Sequence, residues 1–276
     1  MLKGPTQETT QFAGRLRETP IFVYDAAAAP WVDAGKPGLY QKLVRGNAHQ
    51  GEFLGLLGFD TLVSSGLHQH TGVTTTYMLS GSLTDYWDTY KEGVTGINLE
   101  GSTHDAICYS KTSMVNRLEA PVLYPESLTL HTLHHGSRHG DFINPAPEVT
   151  PTISVEVSKV QVVPTIVAGV TRRMIFDYSK AAQYGRAGTH MNHRHSCLSM
   201  LPRTHVPTFK TTAVTEFFVL GGQVSLNGNL AGPAHFVIVE PGTEVSIKSD
   251  FGCCMLAWAD GPTQWSGQEG ADLFGF

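Results

Sequence analysis

The segment "SSGLHQHTGVTTTYMLSGSLTDYW", residues 64–87, decides the fold. It predicts a strand, a tight turn and a second strand that ends at Gly81. Successive side chains of a strand point to opposite faces, so His68 and His70 share one face. Two imidazoles side by side either repel each other as cations or hold a common partner.

Short strands of this kind recur along the chain. From about residue 40 onward, apolar or alternating segments such as "GEFLGLLGF", "ISVEVSKVQVV" and "HFVIVEPG" are separated by Gly, Pro, Asn and Asp, and helical patterns are few. Many short strands at regular spacing are typical of a β-sandwich or a β-barrel. We therefore predict an all-β fold, preceded by an N-terminal arm at residues 1–40.

The composition excludes several classes of protein. The 276 residues carry a net charge of −5, are 41% apolar and are only 16% charged, which argues against a disordered or nucleic-acid-binding chain. The sequence has no apolar run near the ~20 residues of a membrane span, and its N-terminus lacks the apolar core of a signal peptide. The four cysteines have no metal-type spacing. We expect a cytoplasmic protein without a nucleic-acid or membrane partner.

The sequence repeats itself when its halves are shifted by 141 residues. "TTYMLSGSL" then aligns with "EFFVLGGQV", Gly81 with Gly222, and Gly101 with Gly242. Chance similarity between two apolar hairpins is the alternative, but two glycines in register favour a duplication. We place the boundary in the Pro-rich "NPAPEVTP", which predicts barrels at residues 41–147 and 148–276.

A third histidine completes a known pattern. His-x-His at His68 and His70, an outgoing strand that ends in glycine, and the later Gly101-x-x-His104 together resemble the two short motifs of the cupin superfamily. The resemblance covers about residues 44–125 well and the second half more loosely. It implies two double-stranded β-helix (jelly-roll) barrels, a bicupin, with His68, His70 and His104 binding one metal ion.

The predicted ligand set is neutral. Imidazoles suit iron, zinc, nickel or copper and leave coordination positions open; Fe(II) is our first expectation, with Zn, Ni or Mn as alternatives. Cupins usually carry a Glu four or five residues after the second His, where this sequence has Thr74 and Thr75. An uncompensated divalent charge favours an anionic, chelating substrate. The first half resembles the three-histidine dihydroxyacetophenone and acetylacetone dioxygenases, which implies Fe(II)-dependent cleavage of a carbon–carbon bond in a small diketone or hydroxyketone, with O2.

Three further residues are candidate catalytic groups. Thr75 and Tyr77 share a strand face, which we expect to be the barrel interior, although packing is the commoner role of an aromatic ring. Arg117 either pairs with a substrate oxygen or turns outward to Glu119. Asp105, beside His104, is a candidate acceptor for a ligand imidazole, although neighbouring strand residues face opposite sides.

Other histidines carry weaker signals. The expected equivalents of His68, His70 and His104 in the second half are Phe209, Thr211 and Val245, so we predict a barrel without a metal site there. His205 reaches a ligand position only with an insertion. The roles of the remaining clustered histidines stay open: His131, His134, His135, His139, His190, His193 and His195.

Three functions compete with the dioxygenase. The nearest is a hydrolase or isomerase that uses zinc at the same ligands. The first barrel also resembles the zinc-binding cupin of anti-sigma factors, in which the metal senses and no substrate turns over. A storage or structural bicupin normally lacks the complete ligand set that this chain carries. An open three-histidine site supports an enzyme, whereas a fourth protein ligand supports a sensory or structural role. Cupin barrels often pair through edge strands, so we also expect a homodimer.

Overall fold

The computed structural model describes residues 20–47, 52–85, 87–124, 152–178, 193–267 and 271–274. These residues form short antiparallel strands, with a 3-10 helix at Val157–Lys159. The all-β prediction is confirmed. No helix in the described ranges is long and apolar enough to cross a membrane.

The chain divides into two compact units. The first contains the described residues between 30 and 158, and the second contains residues 20–29 together with those from 159 onward. The predicted boundary at 147/148 lies outside the described residues.

The strands before residue 125 are β1 (Ile21–Asp25), β2 (Val32–Asp33), β3 (Leu39–Asn47), β4 (Glu52–Phe59), β5 (Val63–Ser64), β6 (His68–His70), β7 (Thr74–Ser80), β8 (Ser82–Thr84), β9 (Thr89–Lys91), β10 (Val94–Asn98), β11 (Thr103–His104), β12 (Ile107–Cys108), β13 (Thr112–Leu118) and β14 (Val122–Leu123). Those after residue 151 are β15 (Thr152–Glu156), β16 (Val162–Pro164), β17 (Val170–Asp177), β18 (Arg194–Met200), β19 (Thr204–Thr211), β20 (Thr215–Gly222), β21 (Val224–Leu226), β22 (Asn229–Ala231), β23 (His235–Val239), β24 (Glu244–Ser249), β25 (Cys253–Ala259) and β26 (Thr263–Gln264).

Each unit contains a seven-stranded sheet, and the strand orders match position by position. The order is β15-β10-β7-β13-β4-β3-β2 in the first unit and β1-β23-β20-β25-β18-β17-β16 in the second. Smaller sheets accompany them: β11-β6-β14 and β5-β12-β8-β9 in the first unit, and β22-β21-β24-β19-β26 in the second. The repeat seen in the sequence is therefore a repeat of topology.

The strand register also repeats with the predicted shift. His68 pairs with His104, and Phe209 pairs with Val245 at the corresponding place in the second unit. A glycine in the left-handed region lies just after β7 and at the end of β20: Gly81 has φ 74° and Gly222 has φ 77°. The structure thus confirms the alignment by 141 residues.

The outermost strand of each large sheet comes from a distant part of the chain. In the first unit, β15 covers the edge of β10; in the second, β1 covers the edge of β23. Part of the segment predicted as an arm is therefore a strand. The edge is covered for the same physical reason in both units, because an uncovered strand edge exposes unpaired backbone N–H and C=O groups.

Gly81 should tolerate no side chain. A Cβ there would lie 2.5 Å from Thr112 Oγ1 and 2.6 Å from the carbonyl oxygen of Lys111, in addition to the unfavourable φ of 74°. We expect Gly81→Ala to lower the free energy of unfolding by about 3 kcal/mol, measured by urea denaturation.

Gly93 offers the matched control for Gly81. Its φ is +81°, but nothing lies within 4 Å of an added Cβ. Gly93→Ala should therefore lose only the conformational term, about 1 kcal/mol. Equal losses in the two variants would contradict the steric argument.

Candidate metal centre

Three buried histidines meet in the first unit. His68 and His70 lie on β6, and His104 lies directly opposite His68 on β11. Their exposed fractions are 7%, 4% and 6%. The alternation of strand side chains puts both β6 histidines on one face, as the sequence predicts.

The Nε2 atoms of the three rings converge. His104 Nε2 lies 3.1 Å from His68 Nε2 and 3.1 Å from His70 Nε2. All three residues offer ligand atoms that lie within 4.8 Å of one another. The convergence predicted for His68, His70 and His104 is confirmed.

Each ring is oriented through its other nitrogen. His68 Nδ1 donates to the carbonyl oxygen of Gly66 at 2.6 Å, and His104 Nδ1 donates to Asp85 Oδ2 at 2.9 Å. His70 Nδ1 lies 2.9 Å from Thr74 Oγ1, and a hydroxyl can either donate or accept. A carbonyl or carboxylate only accepts, so the proton sits on Nδ1 of His68 and His104 and their Nε2 lone pairs face the point of convergence. Such an arrangement suits a cation at the point of convergence.

Burial keeps two of these imidazoles neutral. Desolvation, followed by the nearby His104, lowers the pKa of His68 to about 3. Desolvation also lowers the pKa of His70 well below its usual value, with His68 and His104 adding to the effect. Because metals bind the unprotonated ring, both are ready to act as ligands at neutral pH.

Asp85 anchors His104 through a network that also fixes the carboxylate. Asp85 Oδ2 accepts from His104, from the Tyr90 hydroxyl at 3.1 Å and from the Thr152 hydroxyl at 3.2 Å. Asp85 Oδ1 accepts from the backbone N–H groups of residues 87 and 88. Burial acts to raise the pKa of Asp85, but the hydrogen bond and charge of His104, with these backbone N–H groups, outweigh it and hold the pKa below its usual value. The carboxylate therefore stays ionised behind the imidazole.

The three histidines line one wall of a large cavity. Its volume is about 660 Å³, and its lining joins apolar side chains to a few polar groups, among them Thr74, Thr76, Asn98 and Asn116. The apolar part includes Leu39, Leu43, Phe53, Leu57, Met114 and Leu118. A cavity of this kind, with a metal-ligating wall, is the usual form of a small-molecule site.

The described residues place no fourth protein ligand at the point of convergence. His68, His70 and His104 form a group without an added Cys, Asp or Glu. Of Thr74 and Thr75, the two positions at which the sequence comparison expects a Glu, Thr74 lines the cavity. Within the described part of the chain, the centre is thus open toward the cavity.

The inward orientation expected for Thr75 and Tyr77 is wrong. Thr74 and Thr76 line the cavity, so the residues between and after them point to the opposite face of β7. Thr76 Oγ1 accepts from Asn116 Nδ2 at 2.8 Å across this inner face.

Arg117 likewise faces away from the cavity. Its neighbours Asn116 and Leu118 line the cavity, whereas Arg117 donates to Glu119 Oε1 at 2.7 Å. This is the outward alternative that the sequence left open.

Asp105 is not the acceptor for a ligand imidazole. It accepts from Ser64 Oγ at 2.5 Å, and Asp85 occupies the place that Asp105 was expected to fill. The aromatic rings of Trp87 and Tyr109 near the motif are exposed, by 49% and 59%. Tyr86 lies outside the described residues.

The second unit has the same framework with a filled interior. Phe209, Thr211 and Val245 take the register of the three ligands. Phe209 stacks on Trp265 at 5.1 Å and meets Phe274 at 6.5 Å between ring centroids. Aromatic packing thus replaces the donor set, and His205 stays exposed on β19.

The other histidines of the second unit have their own partners. His195 stacks on Trp258 with centroids 4.6 Å apart, and its Nδ1 lies 3.1 Å from the carbonyl oxygen of Ala257. His193 Nδ1 lies 3.0 Å from Asp260 Oδ1. The histidines at 131, 134, 135, 139 and 190 lie outside the described residues.

Replacing Thr74 by Val should weaken metal binding by up to about tenfold, because it removes the hydroxyl that hydrogen-bonds His70 Nδ1 and orients the ring. Competition with a chromophoric chelator measures the effect. Thr75→Val is the matched control, since that side chain faces away, and its metal affinity should match the wild type. Equal affinities for Thr74→Val and Thr75→Val would contradict an orienting role for the hydroxyl.

Comparison with known proteins finds one family model and several solved structures that resemble this chain. The family model "ChrR Cupin-like domain" matches residues 20–122, which contain all three histidines. None of the curated proteins matches the sequence.

Several solved structures resemble most of the chain at low identity. A dioxygenase candidate from Nostoc punctiforme has a TM-score of 0.68 at 8% identity, covering 90% of this chain and 87% of its own. Oxalate decarboxylase from Bacillus subtilis has a TM-score of 0.58 at 10% identity, covering 87% and 76%. The pirin YhhW from Escherichia coli, in complex with nickel(II), has a TM-score of 0.57 at 13% identity, covering 87% and 98%. At these identities the likeness concerns the fold, and the chain has an all-β cupin fold.

Proposed function

We propose that the chain is a metal-dependent dioxygenase, with Fe(II), that cleaves a carbon–carbon bond in a diketone or hydroxyketone. One observation carries the proposal: three histidine Nε2 atoms converge on the wall of a cavity of about 660 Å³. Iron, nickel, zinc and copper all accept imidazole ligands, so the donor set fits such an ion.

The spacing of the nitrogen atoms supports a single ion held by all three rings. His104 Nε2 lies 3.1 Å from Nε2 of both His68 and His70. Imidazole donors in such a group would suit Fe(II), Ni(II), Mn(II) or Zn(II), and Fe(II) is the ion that we propose.

The charge of the site supports an anionic, chelating ligand. The three imidazoles add no negative charge. The carboxylate of Asp85 is hydrogen-bonded to His104 Nδ1, on the far side of that ring from the converging Nε2 atoms. When bound, Fe(II) supplies a Lewis acid for two substrate oxygens and a one-electron partner for O2. Gly66, Thr74 and Asp85 keep the ligand rings in place, which is this chain's own contribution to the reaction.

The cavity supports substrates larger than the smallest diketones. Volumes of about 300–1,000 Å³ accommodate drug-sized ligands. Leu57, Met114 and Leu118 would enclose alkyl or aryl substituents of a ketone whose oxygens face the histidines. Burial beside Asp85 raises the pKa of Tyr90 and keeps its hydroxyl neutral, so Tyr90 supports the site as a hydrogen-bond donor.

A second candidate is a zinc-binding cupin with a sensory, regulatory or other non-oxygenase role. The match of residues 20–122 to the ChrR cupin-like family supports it. In that case the cavity holds an effector and no bond is cleaved. The homodimer and the cytoplasmic location stay predictions from the sequence.

The test begins with metal-free protein reconstituted under anaerobic conditions with Fe(II), Mn(II), Ni(II) or Zn(II), each separately. O2 uptake is then followed with an alkyl diketone, an aryl diketone and a 2-hydroxyacetophenone, and products are identified by mass spectrometry. We expect the Fe(II) form to consume O2 with at least one substrate and to yield two carbonyl fragments.

His70→Ala, treated identically, is the control for adventitious iron chemistry and should be inactive. Retention of one zinc per chain through purification, with no O2 uptake in any reconstituted form, would favour the second candidate and overturn the first.

A further inference from the structure

Two thiols lie side by side in the second unit. Cys197 on β18 and Cys254 on β25 are on neighbouring antiparallel strands, and their Sγ atoms are 3.5 Å apart. Both are on the face opposite the hydrophobic core, because Leu198 and Met255 fill that core from the alternate positions. Both cysteines are free thiols.

The surroundings of the pair favour a thiolate. Cys197 is 3% exposed, whereas Cys254 is partly exposed. The hydroxyl of Ser199, directly opposite Cys254, lies 3.8 Å from its Sγ, and Arg173 is opposite Cys197 on β17. The hydrogen bond from Cys197, helped by Ser199 and Arg173 against the effect of burial, lowers the pKa of Cys254. The same hydrogen bond raises the pKa of Cys197.

The other two cysteines lack these features. Cys253 and Cys108 are buried in the cores of the second and first units, and burial raises the pKa of each. A thiolate reacts far faster than a thiol, so oxidation should select Cys254.

We propose that Cys197 and Cys254 are a redox pair that hydrogen peroxide converts into a reversible disulfide. The Cys254 thiolate attacks one peroxide oxygen, the O–O bond breaks, and a sulfenic acid and hydroxide form. The Cys197 sulfur then attacks the sulfenic sulfur; the S–S bond forms, the S–O bond breaks, and the Cys197 proton leaves with the hydroxyl as water. Two thiols and one peroxide thus give one disulfide and two waters, and two electrons pass from sulfur to oxygen.

The placement of the pair predicts a bond that is easily reduced. Ser199, not Cys197, is directly opposite Cys254, so the two cysteines are diagonal neighbours. Diagonal neighbours are further apart than the usual bridged pair, and closing the bond draws the strands together. Strained disulfides have higher potentials and are the labile, regulatory ones.

The test uses the full chain, metal-free, so that iron chemistry does not contribute. Protein is treated with hydrogen peroxide, free thiols are blocked, and the intact mass and proteolytic peptides are analysed. The wild type should lose about 2 Da, yield a peptide pair linking residues 197 and 254, and recover both thiols with dithiothreitol. Cys254→Ser should lose thiols at least tenfold more slowly than wild type.

Cys253→Ala is the matched control, because it removes the neighbouring thiol and leaves the pair, and it should form the disulfide as wild type does. Cys197→Ser should stop at sulfenic acid or pass to sulfinic acid on Cys254, with no internal bridge. The proposal would be overturned if Cys254→Ser lost thiols at the wild-type rate. It would also be overturned if hydrogen peroxide oxidised Cys254 in the wild type without forming a bridge to Cys197. Neither outcome depends on the proposed dioxygenase.

Discussion

His104→Ala is expected to remove the metal from the protein. His104 Nε2 is 3.1 Å from both of the other ligand nitrogens, so this ring completes the triangle. Binding free energies of about 10–16 kcal/mol shared among four ligands give roughly 3 kcal/mol per ligand. Since about 1.4 kcal/mol is a factor of ten, affinity should fall at least a hundredfold. Metal content after dialysis, measured by mass spectrometry, should drop from about one ion per chain to under a tenth.

The control for this variant is His205→Ala. His205 is an exposed strand histidine of the other unit, so its replacement tests the loss of an imidazole without loss of a ligand. Circular dichroism and thermal unfolding of the metal-free proteins establish that His104→Ala is folded. A folded His104→Ala protein with a full equivalent of metal would show that the ion binds elsewhere.

Asp85→Asn is expected to weaken metal binding by about 10–100-fold while all three ligands remain. One carboxylate oxygen accepts from His104, Tyr90 and Thr152, and the other from backbone N–H groups. An amide has only one acceptor oxygen. In either orientation of the amide, its NH2 group faces a donor. Either the His104 imidazole or the backbone N–H groups therefore lose their acceptor.

Asp88→Asn provides the matched control. Asp88 is an exposed carboxylate in the same turn, with no hydrogen bond to a ligand histidine in the described structure. Metal dissociation constants are measured by chelator competition at a temperature where both variants are folded, which separates positioning from stability. An unchanged constant for Asp85→Asn would mean that His104 holds its orientation without the carboxylate.

The convergence of the three histidines was predictable because its information is local. Period-two alternation places His68 and His70 together, and the later Gly-x-x-His motif supplies the third ring. The 141-residue repeat was predictable for a similar reason, since Gly81 and Gly222 both adopt a positive φ that few other residues tolerate.

The inner face of β7 was not predictable from alternation alone. Alternation says that Thr75 and Tyr77 share a face, but not which face meets the cavity. Burial gives no guide either, because Thr74, Thr75 and Thr76 are all buried, at 3%, 1% and 8% exposure. Thr74 and Thr76 continue the even-numbered series of His68 and His70, but a turn between two strands does not have to preserve that alternation.

The partner of His104 was missed because it lies far away in sequence. Asp105 adjoins His104, but neighbouring residues on a strand point to opposite faces. Asp85 reaches the ring from the turn after β8, nineteen residues earlier. The filling of the second interior by Phe274 was missed likewise, because only the folded chain brings residues 271–274 to Phe209.

The edge strands β15 and β1 make the large sheets of the two units complete at different times during translation. β15 is the last strand of the large sheet of the first unit, so that sheet can be complete once residue 156 has left the ribosome. β1 is made before the other described strands of the second unit, yet its partner Val239 comes more than two hundred residues after Ile21. Contacts this remote slow folding, because β1 is translated long before the strand that it pairs with. Completion of the large sheet of the second unit therefore depends on residues 21–25, and deleting them would leave the edge of β23 uncovered.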